Sequence, residues 1–373
     1  MDFLFSNLLP FKTQQKTFAE IFFNLLPEAD RLDIAVGFIT ADSLVELQQI
    51  VAANKVEQLN LIIGMYSCGG LFTEMEYKAA IRLNEFLQTN NQGKVNLVTP
   101  FRFHGKLYSY WKNQQPIAGI IGSNNLGGIV QDASRIYEAS VLTKDPKDVQ
   151  ELAGFISNLD AYTQNIKDLS INDFKNENPL LEGQEFVEKV SSQTLYAISN
   201  NLSSIRFKIP IKTYEDAPKS NLNAFFGKGR EDKRGLVRPR HWYEVELIVP
   251  KEITQQKGYP QSNSEEALFT AITDDGWKFK CKISGDYSKN FRSEGDLTIL
   301  GKWLKGRLEQ ARLLEVGKPV TSSILAEYGR SNFELIKTTI TGFFILLETN
   351  KGYSVSSQMQ KSFNSSFSFS SPI

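Results

Sequence analysis

Apolar and polar residues follow two different periods in the first 170 positions. Apolar runs with a period of two, or no interruption, predict strands at 33–38, 59–63 and 95–98. Apolar residues repeated every three or four positions predict helices at 13–26, about 40–54, 73–87 and 146–168. Strands that alternate with helices predict an α/β sandwich built on a mixed sheet.

The second half of the chain has another pattern. Short alternating segments predict strands at 206–211, 243–249, 268–272, 277–283 and 343–348. Helical periods occur at 298–308 and 322–328. Many short strands with few helices predict a mostly-β open barrel.

The segment between the two patterns is rich in Asn, Gln, Glu and Ser and predicts a connector. We therefore expect a first domain at 1–170, a connector at 171–204, and a second domain at 205–350. A Ser- and Phe-rich tail would occupy 351–373.

The composition is that of an ordinary globular protein, with 41% hydrophobic residues, 23% charged residues and zero net charge. Any surface for nucleic acid must therefore be local. Cys68 and Cys281 are far apart and fit neither a disulfide framework nor a zinc site. The N-terminus lacks a secretory signal pattern, and no apolar run approaches the length of a membrane span. These features favour a soluble cytoplasmic protein without a membrane partner.

Polar residues suited to phosphoryl transfer are concentrated between 103 and 141. His104 and Lys106 are two positions apart in a segment that alternates like a strand, so both would share one face of it. An apolar run at 117–121 then ends in a Gly-Ser-Asn-Asn turn that contains Ser123 and Asn125. Arg135 to Leu142 is the next strand-like run, and it contains Glu138.

A neutral imidazole can attack phosphorus and form a covalent intermediate. The side chains of Lys106, Ser123 and Asn125 could hold the non-bridging oxygens, and Glu138 could accept the second ring N–H of His104. A bare HxK pair more often means only a His on a strand beside a surface Lys.

The order HxK, GSxN and a Glu on the next strand resembles the phospholipase D superfamily. The resemblance covers about the first 165 residues and assigns catalytic roles to His104, Lys106, Ser123, Asn125 and Glu138. This chain has Trp111 where the family often has an Asp, which puts any role of that Asp in doubt.

The number of histidines bears on the assembly. The family reaction uses two HxK histidines, one as nucleophile and one as general acid. This chain has only two histidines, and His241 is followed by Tyr243 where the motif needs a Lys. The resemblance therefore implies a homodimer that builds one active site around a two-fold axis.

Basic residues are concentrated between 206 and 240, where ten Lys and Arg face four acidic residues. Arg interleaved with Gly, Pro and aromatic residues suits a loop that contacts phosphates and base edges. A second polar and basic loop follows near 287–292. The predicted DNA-binding residues are Lys228, Arg230, Lys233, Arg234, Arg238, Arg240, Trp242, Tyr287, Lys289, Asn290 and Arg292. A solvated charged surface is the alternative interpretation.

A nuclease domain of this kind followed by a β-barrel with basic arms resembles the type II restriction endonucleases of the BfiI and NgoFVII type. The resemblance implies a C-terminal pseudobarrel like the plant B3 domain, with arms at 225–242 and 284–292 that clamp the major groove of double-stranded DNA. It also implies site-specific cleavage without metal or cofactor.

Some members of this group work with a separate helicase. This chain has no GxxxxGK[ST] motif, so an ATPase subunit, like a cognate DNA methyltransferase, would be a separate protein. Three alternatives stay open: a DNA-binding regulator without catalysis, a phospholipid phosphodiesterase or transferase of the same superfamily, and a nonspecific nuclease.

Overall fold

The computed structural model describes residues 1–8, 11–54, 56–66, 72–130, 136–171, 174, 181–329, 332–338 and 342–348. The chain divides into two compact units, and neither is continuous in sequence. The first unit comprises Met1–Pro179, Lys228–Trp242 and Glu315–Lys318. The second comprises Leu180–Gly227, Tyr243–Leu314 and the chain from Pro319 onward.

The first unit alternates strands and helices as the apolar periods predicted. Its elements before residue 180 are β1 (Asp2–Phe5), α1 (Phe18–Leu25), β2 (Arg31–Val36), α2 (Ala41–Asn54), β3 (Gln58–Ile63), α3 (Glu74–Thr89), β4 (Gly93–Val98), β5 (Lys106–Lys112), β6 (Gln115–Gly122), β7 (Ala139–Thr143), α4 (Pro146–Asp160) and β8 (Thr163–Asn165). The eight strands form one mixed sheet in the order β1-β7-β6-β5-β2-β3-β4-β8. The pairs β2–β3 and β3–β4 are parallel, and the other pairs are antiparallel.

Helices cover both faces of this sheet. Successive side chains of a strand point to opposite faces, so each central strand packs against helices on both sides. Leu107 of β5 packs in a core cluster with Ile156 and Leu159 of α4. The next residue, Tyr108, points to the other face, where its ring lies 4.9 Å from that of Phe18 on α1. The α/β sandwich with a mixed sheet is thus confirmed.

Several predicted boundaries in this unit were wrong. The helix predicted at 146–168 ends at Asp160, and 163–165 form the edge strand β8. Apolar periodicity could not show this, because Thr163 is fixed by polar contacts: its hydroxyl donates to the carbonyl of Asp160 at 2.7 Å. His104 precedes β5 instead of lying within it, and β7 begins only at Ala139. Part of the strand-like run that begins at Arg135, and Cys68, lie outside the described residues.

The later part of the chain consists mainly of short strands. Its elements are β9 (Glu188–Lys189), α5 (Ser192–Ser199), β10 (Leu202–Pro210), β11 (Arg230–Glu231), β12 (Val237–Arg238), β13 (Leu247–Ile248), α6 (Lys251–Thr254), β14 (Leu268–Thr273), β15 (Trp277–Ser284), β16 (Asn290–Ser293), α7 (Ile299–Gln310), α8 (Ser322–Tyr328), β17 (Asn332–Thr338) and β18 (Phe343–Glu348). The second unit contains a sheet in the order β10-β17-β18-β14-β15-β16-β13, and β9 pairs with β15. Among the described strands of this sheet, only β14 and β18 pair in parallel.

These strands confirm the mostly-β architecture. Aromatic side chains form the core of the sheet. The ring of Phe291 on β16 lies 5.1 Å from that of Phe333 on β17 and 5.9 Å from that of Phe269 on β14. Trp303 of α7 packs edge-on against Phe333 at 6.2 Å. The strand predicted at 243–249 is reduced to Leu247–Ile248. In the part of the chain that the structure describes, no helix is long and apolar enough to cross a membrane.

The segment predicted as a connector contains regular structure. Within 171–204, residues 192–199 form α5, and Ser191 caps this helix by accepting a hydrogen bond from the Thr194 N–H at 3.2 Å. Leu195 and Ile198 of α5 pack against a core cluster that includes Phe344. In the sequence these few apolar residues stand among many polar ones. Their packing depends on a surface that is distant in sequence, which the local pattern does not show.

The basic hairpin, defined here as residues 228–242 with β11 and β12, clusters with the first unit. Asn54, the last residue of α2, pairs with it like a strand: its Nδ2 donates to the Val237 carbonyl at 2.8 Å, and its Oδ1 accepts from the Val237 N–H at 2.7 Å. Arg234 donates to Asn24 Oδ1 at 2.8 Å, and the Arg238 guanidinium lies 4.8 Å from the centre of the Phe23 ring. Contacts to α1 and α2 therefore hold the hairpin to the rest of the first unit.

We predict that Asn54→Ala loosens the basic hairpin. Loss of two hydrogen bonds would raise the free energy of the docked hairpin by about 2 kcal/mol, so its undocked population would rise about 30-fold. Limited trypsin digestion, followed by mass spectrometry of cuts within 228–240, measures this population. Asn90→Ala is the control. Asn54 Nδ2 also donates to the carbonyl four residues earlier, and Asn90 Nδ2 makes the same local hydrogen bond but none to the hairpin among the described residues. Equal digestion of both variants would contradict the prediction.

Candidate active site and nucleic-acid interface

The strand register brings the predicted catalytic residues to one edge of the first sheet. Val36 at the end of β2 pairs with Lys106 at the start of β5. Gly122 at the end of β6 pairs with Ser140 near the start of β7. His104, Ser123, Asn125 and Glu138 each lie within three residues of these strand ends. They come from separate segments but meet near the middle of the strand order.

The loop before β5 presents His104 to solvent. Its neighbour Phe103 is the anchor: the Phe103 N–H donates to the Gly64 carbonyl at 2.9 Å, and its ring packs against the core under α4. A Cβ at Gly64 would collide with the Phe103 backbone, so this close approach requires glycine there. The His104 side chain is exposed, and its ring meets that of Phe38 edge-to-face at 5.4 Å.

Lys106 begins β5 and is buried, with 7% of the residue exposed. Its Nζ donates one of its three ammonium N–H groups to the His104 carbonyl at 2.7 Å. Burial lowers the pKa of Lys106 from its ordinary value, because the charged form loses solvation; the nearby Glu138 carboxylate opposes this shift.

The turn after β6 is held by hydrogen bonds to its neighbours. Ser123 Oγ accepts from the Ala139 N–H at 2.9 Å, and Asn125 Oδ1 accepts from the Phe38 N–H at 3.0 Å. Asn124, between them, is buried: its Oδ1 accepts from Ser140 Oγ at 2.6 Å, and its carbonyl accepts from the Tyr108 hydroxyl at 2.9 Å. Sequence reasoning missed the burial of Asn124, because only its long-range partners distinguish it from any other turn Asn.

Glu138 lies just before β7 and is half-buried. Its N–H donates to Ser6 Oγ at 2.9 Å, which ties it to the chain after the edge strand β1. Its carboxylate influences Lys106 electrostatically. No hydrogen bond joins it to the His104 ring among the described residues, so its role in fixing the imidazole tautomer stays a prediction.

The basic hairpin presents most of the predicted DNA-binding residues of the first arm. Lys228, Arg230, Lys233 and Arg234 are exposed, and Arg238 and Arg240 are half-buried. Trp242 is different. It is fully buried, and its N–H donates to Glu46 Oε1 on α2 at 3.4 Å, so its ring is not presented to DNA. A large aromatic side chain at the base of an arm contributes core packing, which composition alone cannot distinguish from base contact.

The second predicted arm is the turn between β15 and β16. Tyr287 is 72% exposed and has the unusual backbone φ of +58°, with Lys251 Nζ 5.0 Å from the centre of its ring. Asn290 Oδ1 and Arg292 Nε are buried and accept or donate no hydrogen bond within the described residues. Lys289, Asn290 and Arg292 are half-buried. The predicted residues of this arm therefore sit together on one hairpin.

Two family models match this chain, one in each half. The NgoFVII restriction endonuclease N-terminal PLD domain matches residues 16–172. The NgoFVII C-terminal B3-like DNA-binding domain matches residues 197–339. Together they span most of the chain in the order expected for one enzyme. The chain belongs to the NgoFVII restriction endonuclease family. This membership makes it a nuclease with a DNA-binding domain and favours that activity over the regulator and phospholipid alternatives.

Solved structures with similar folds are distant. They include the phospholipase D family member Nuc from Salmonella typhimurium, at 13% identity over 44% of this chain and 95% of that chain, with a TM-score of 0.29. NucT from Helicobacter pylori has 14% identity over 44% and 99%, with a TM-score of 0.28. Phosphatidylserine synthase from Haemophilus influenzae Rd KW20 has 13% identity over 45% and 40%, with a TM-score of 0.32. No curated protein matches the chain.

We predict that Glu138→Gln moves the alkaline limb of the pH–rate profile for DNA cleavage to lower pH. The Glu138 carboxylate raises the pKa of Lys106 against the effect of burial. Without it that pKa falls further, so the ammonium loses its proton at a lower pH. Single-turnover cleavage rates measured from about pH 6 to pH 10 test this.

Two variants support the comparison. Lys106→Arg keeps its positive charge over the whole range, so the alkaline limb should disappear from the accessible pH range. Glu28→Gln is the matched control. Glu28 is exposed, and its carboxylate lies 3.3 Å from the ammonium of Lys144 instead of pairing with Lys106. An unshifted limb in Glu138→Gln would show that Glu138 does not govern the charge of Lys106.

Proposed function

We propose that this restriction endonuclease cleaves DNA site-specifically, without metal, through a covalent phosphohistidine at His104. The observation that supports this most is the meeting of His104, Lys106, Ser123 and Asn125 at one sheet edge, contributed by separate segments. An exposed imidazole beside ammonium, hydroxyl and amide groups matches the needs of phosphoryl transfer.

The reaction would proceed in two displacements. A ring nitrogen of His104 attacks phosphorus and forms an N–P bond, while the bond from phosphorus to the 3′ oxygen breaks. The departing oxygen takes a proton from a general acid. Water then attacks phosphorus, breaks the N–P bond and releases a 5′-phosphate end. Lys106, Ser123 and Asn125 would stabilise the charge on the non-bridging oxygens in both steps.

The general acid would be His104 of the partner subunit in a homodimer. Within this chain the other histidine is unsuitable, because His241 is only 9% exposed and lies between two carboxylates of α2. Its Nε2 is 3.6 Å from Asp42 Oδ2 and 3.4 Å from Glu46 Oε1. A two-fold axis beside the sheet edge would bring two copies of His104 to one phosphate.

Sequence specificity would come from the two hairpins. The exposed basic residues of the basic hairpin suit phosphate contacts and arginine–guanine pairs in the major groove of double-stranded DNA. The exposed Tyr287, with Lys289, Asn290 and Arg292 beside it, would supply a second set of contacts. If these residues contact bases, site preference would survive added salt, whereas binding through phosphates alone would weaken with it.

The enzyme would act on DNA in the cytoplasm together with a cognate methyltransferase that protects the host sites. A separate helicase or ATPase subunit would be needed only if the purified chain cleaves poorly by itself.

We predict that the wild-type protein cuts plasmid DNA into discrete fragments in excess EDTA and that His104→Ala does not. Removal of the nucleophile would lower the rate at least about 1,000-fold, since the remaining donors cannot replace the covalent step. His241→Ala is the matched control and should cleave, because it changes the only other histidine. Cleavage by His104→Ala at the wild-type rate would contradict the mechanism, and fragments only with added Mg²⁺ would contradict metal independence.

We also predict that one wild-type subunit cannot cleave beside a His104→Ala subunit. Heterodimers purified with two different affinity tags should have under about a tenth of wild-type activity, because one site would need both histidines. Half of the wild-type activity would show that each subunit has an independent site. Light scattering of the wild-type protein should give the mass of a dimer, and a monomer that cleaves would contradict the shared site.

A further inference from the structure

Phe38 lies two residues after the end of β2, beside the start of β5, and it contacts both halves of the predicted catalytic motif. Its backbone N–H bonds Asn125, and its ring packs on His104. No feature of the motif points to this residue, because it lies 66 positions before His104 and 87 before Asn125. Its two contacts have different consequences for the site.

The first contact sets the orientation of the Asn125 amide. A backbone N–H can only donate, so the atom that lies 3.0 Å from it must be the amide oxygen. The two N–H donors of the Asn125 side chain are then directed to the other side of the amide. Phosphate oxygens only accept hydrogen bonds, so this orientation offers phosphate the end of the amide that it can use.

The second contact restrains the imidazole. The Phe38 and His104 rings meet at an angle of 79°. On another side, a Cβ at Gly37 would come within 3.0 Å of His104 Cδ2, so the ring is also in close contact with that glycine. Two neighbouring residues of the β2 end therefore limit how the His104 ring can turn.

Phe38 is itself firmly supported. Its ring lies 5.9 Å from that of Tyr66 at an angle of 80°, and Tyr66 is buried. The Tyr66 hydroxyl donates to the Ile39 carbonyl at 3.2 Å and accepts from the Ile39 N–H at 3.4 Å. The residue after Phe38 is thereby hydrogen-bonded to Tyr66, which lies three residues past the end of β3. These contacts restrain the position of Phe38 beside the site.

We propose that Phe38 is the positioning residue of the active site, which it serves by orienting the Asn125 amide toward phosphate and by restraining the His104 ring. This inference rests on the proposed phosphohistidine mechanism. Phosphoryl transfer needs the nucleophile and the oxygen-binding donors in a fixed mutual geometry. Phe38 contacts both the His104 ring and the Asn125 amide.

Two substitutions of Asn125 test the orientation. Asn125→Asp keeps an oxygen that accepts from the Phe38 N–H, but it replaces the phosphate-facing donors by a carboxylate oxygen. Asn125→Ala removes both. We expect Asn125→Ala to lose about 100-fold in the single-turnover cleavage rate. Asn125→Asp should lose more, although its melting temperature stays closer to that of the wild type. If Asn125 serves only as a structural acceptor, the order reverses and Asn125→Asp is the more active variant.

Phe38→Leu tests the ring contact while the backbone N–H is kept. We expect the rate of phosphohistidine formation to fall about tenfold or more, with unchanged affinity for DNA, because only the aim of the nucleophile is affected. The acid-quenched intermediate measures this step separately from release of product. Phe3→Leu is the matched control, since Phe3 is 59% exposed and its ring contacts Phe5 instead of His104.

The outcomes separate the two proposals. If His104→Ala cleaves like the wild type, the phosphohistidine mechanism itself fails. If His104→Ala is inactive but Phe38→Leu forms the intermediate at the wild-type rate, or Asn125→Asp is more active than Asn125→Ala, the mechanism stands and the positioning role of Phe38 is overturned. Should Asn125→Asp fail to fold, the rate measured for Phe38→Leu decides.

Discussion

The pairing of β5 between β2 and β6 is the constraint on which the active site depends. It places Lys106 opposite Val36 and Leu107 opposite Ile121. A slip of one residue would turn Leu107 away from α4 and bury Lys106 against the core in its place. The cost of that exchange is large, since the ammonium group, which donates to the His104 carbonyl, would lie in an apolar cluster without that partner. The hydrophobic alternation of one central strand therefore fixes the positions of the predicted catalytic groups.

Within this frame, the site combines burial with charge. Lys106 is buried and its pKa is lowered, yet the His104 carbonyl and the Glu138 carboxylate favour the ammonium form. A cation in a place with little water acts more strongly on a phosphate than one on the surface. His104, by contrast, is exposed and held by ring packing, so its imidazole is accessible to solvent whereas Lys106 is not.

The later part of the chain does not follow a simple order of domains. Residues 197–339 match a single B3-like family model, yet the basic hairpin within them packs on α1 and α2 of the first unit. Asn54 accounts for part of this, because its side-chain amide bonds both the carbonyl and the N–H of Val237, as a neighbouring strand would do. Residues in one stretch of sequence thus have unlike surroundings: Lys228 is exposed, whereas Trp242 is buried.

The sequence by itself determined the two architectures and defined the candidate catalytic set. Apolar periods reflect which side chains a helix or strand must bury, and the HxK, GSxN and Glu residues lie close enough in sequence to be recognised together. The tertiary structure alone decided the end of α4 at Asp160, the burial of Asn124 and Trp242, and the contacts of Phe38 with both His104 and Asn125. Each of these depends on partners distant in the chain, and local propensity contains no information about such partners until the sheet register is set.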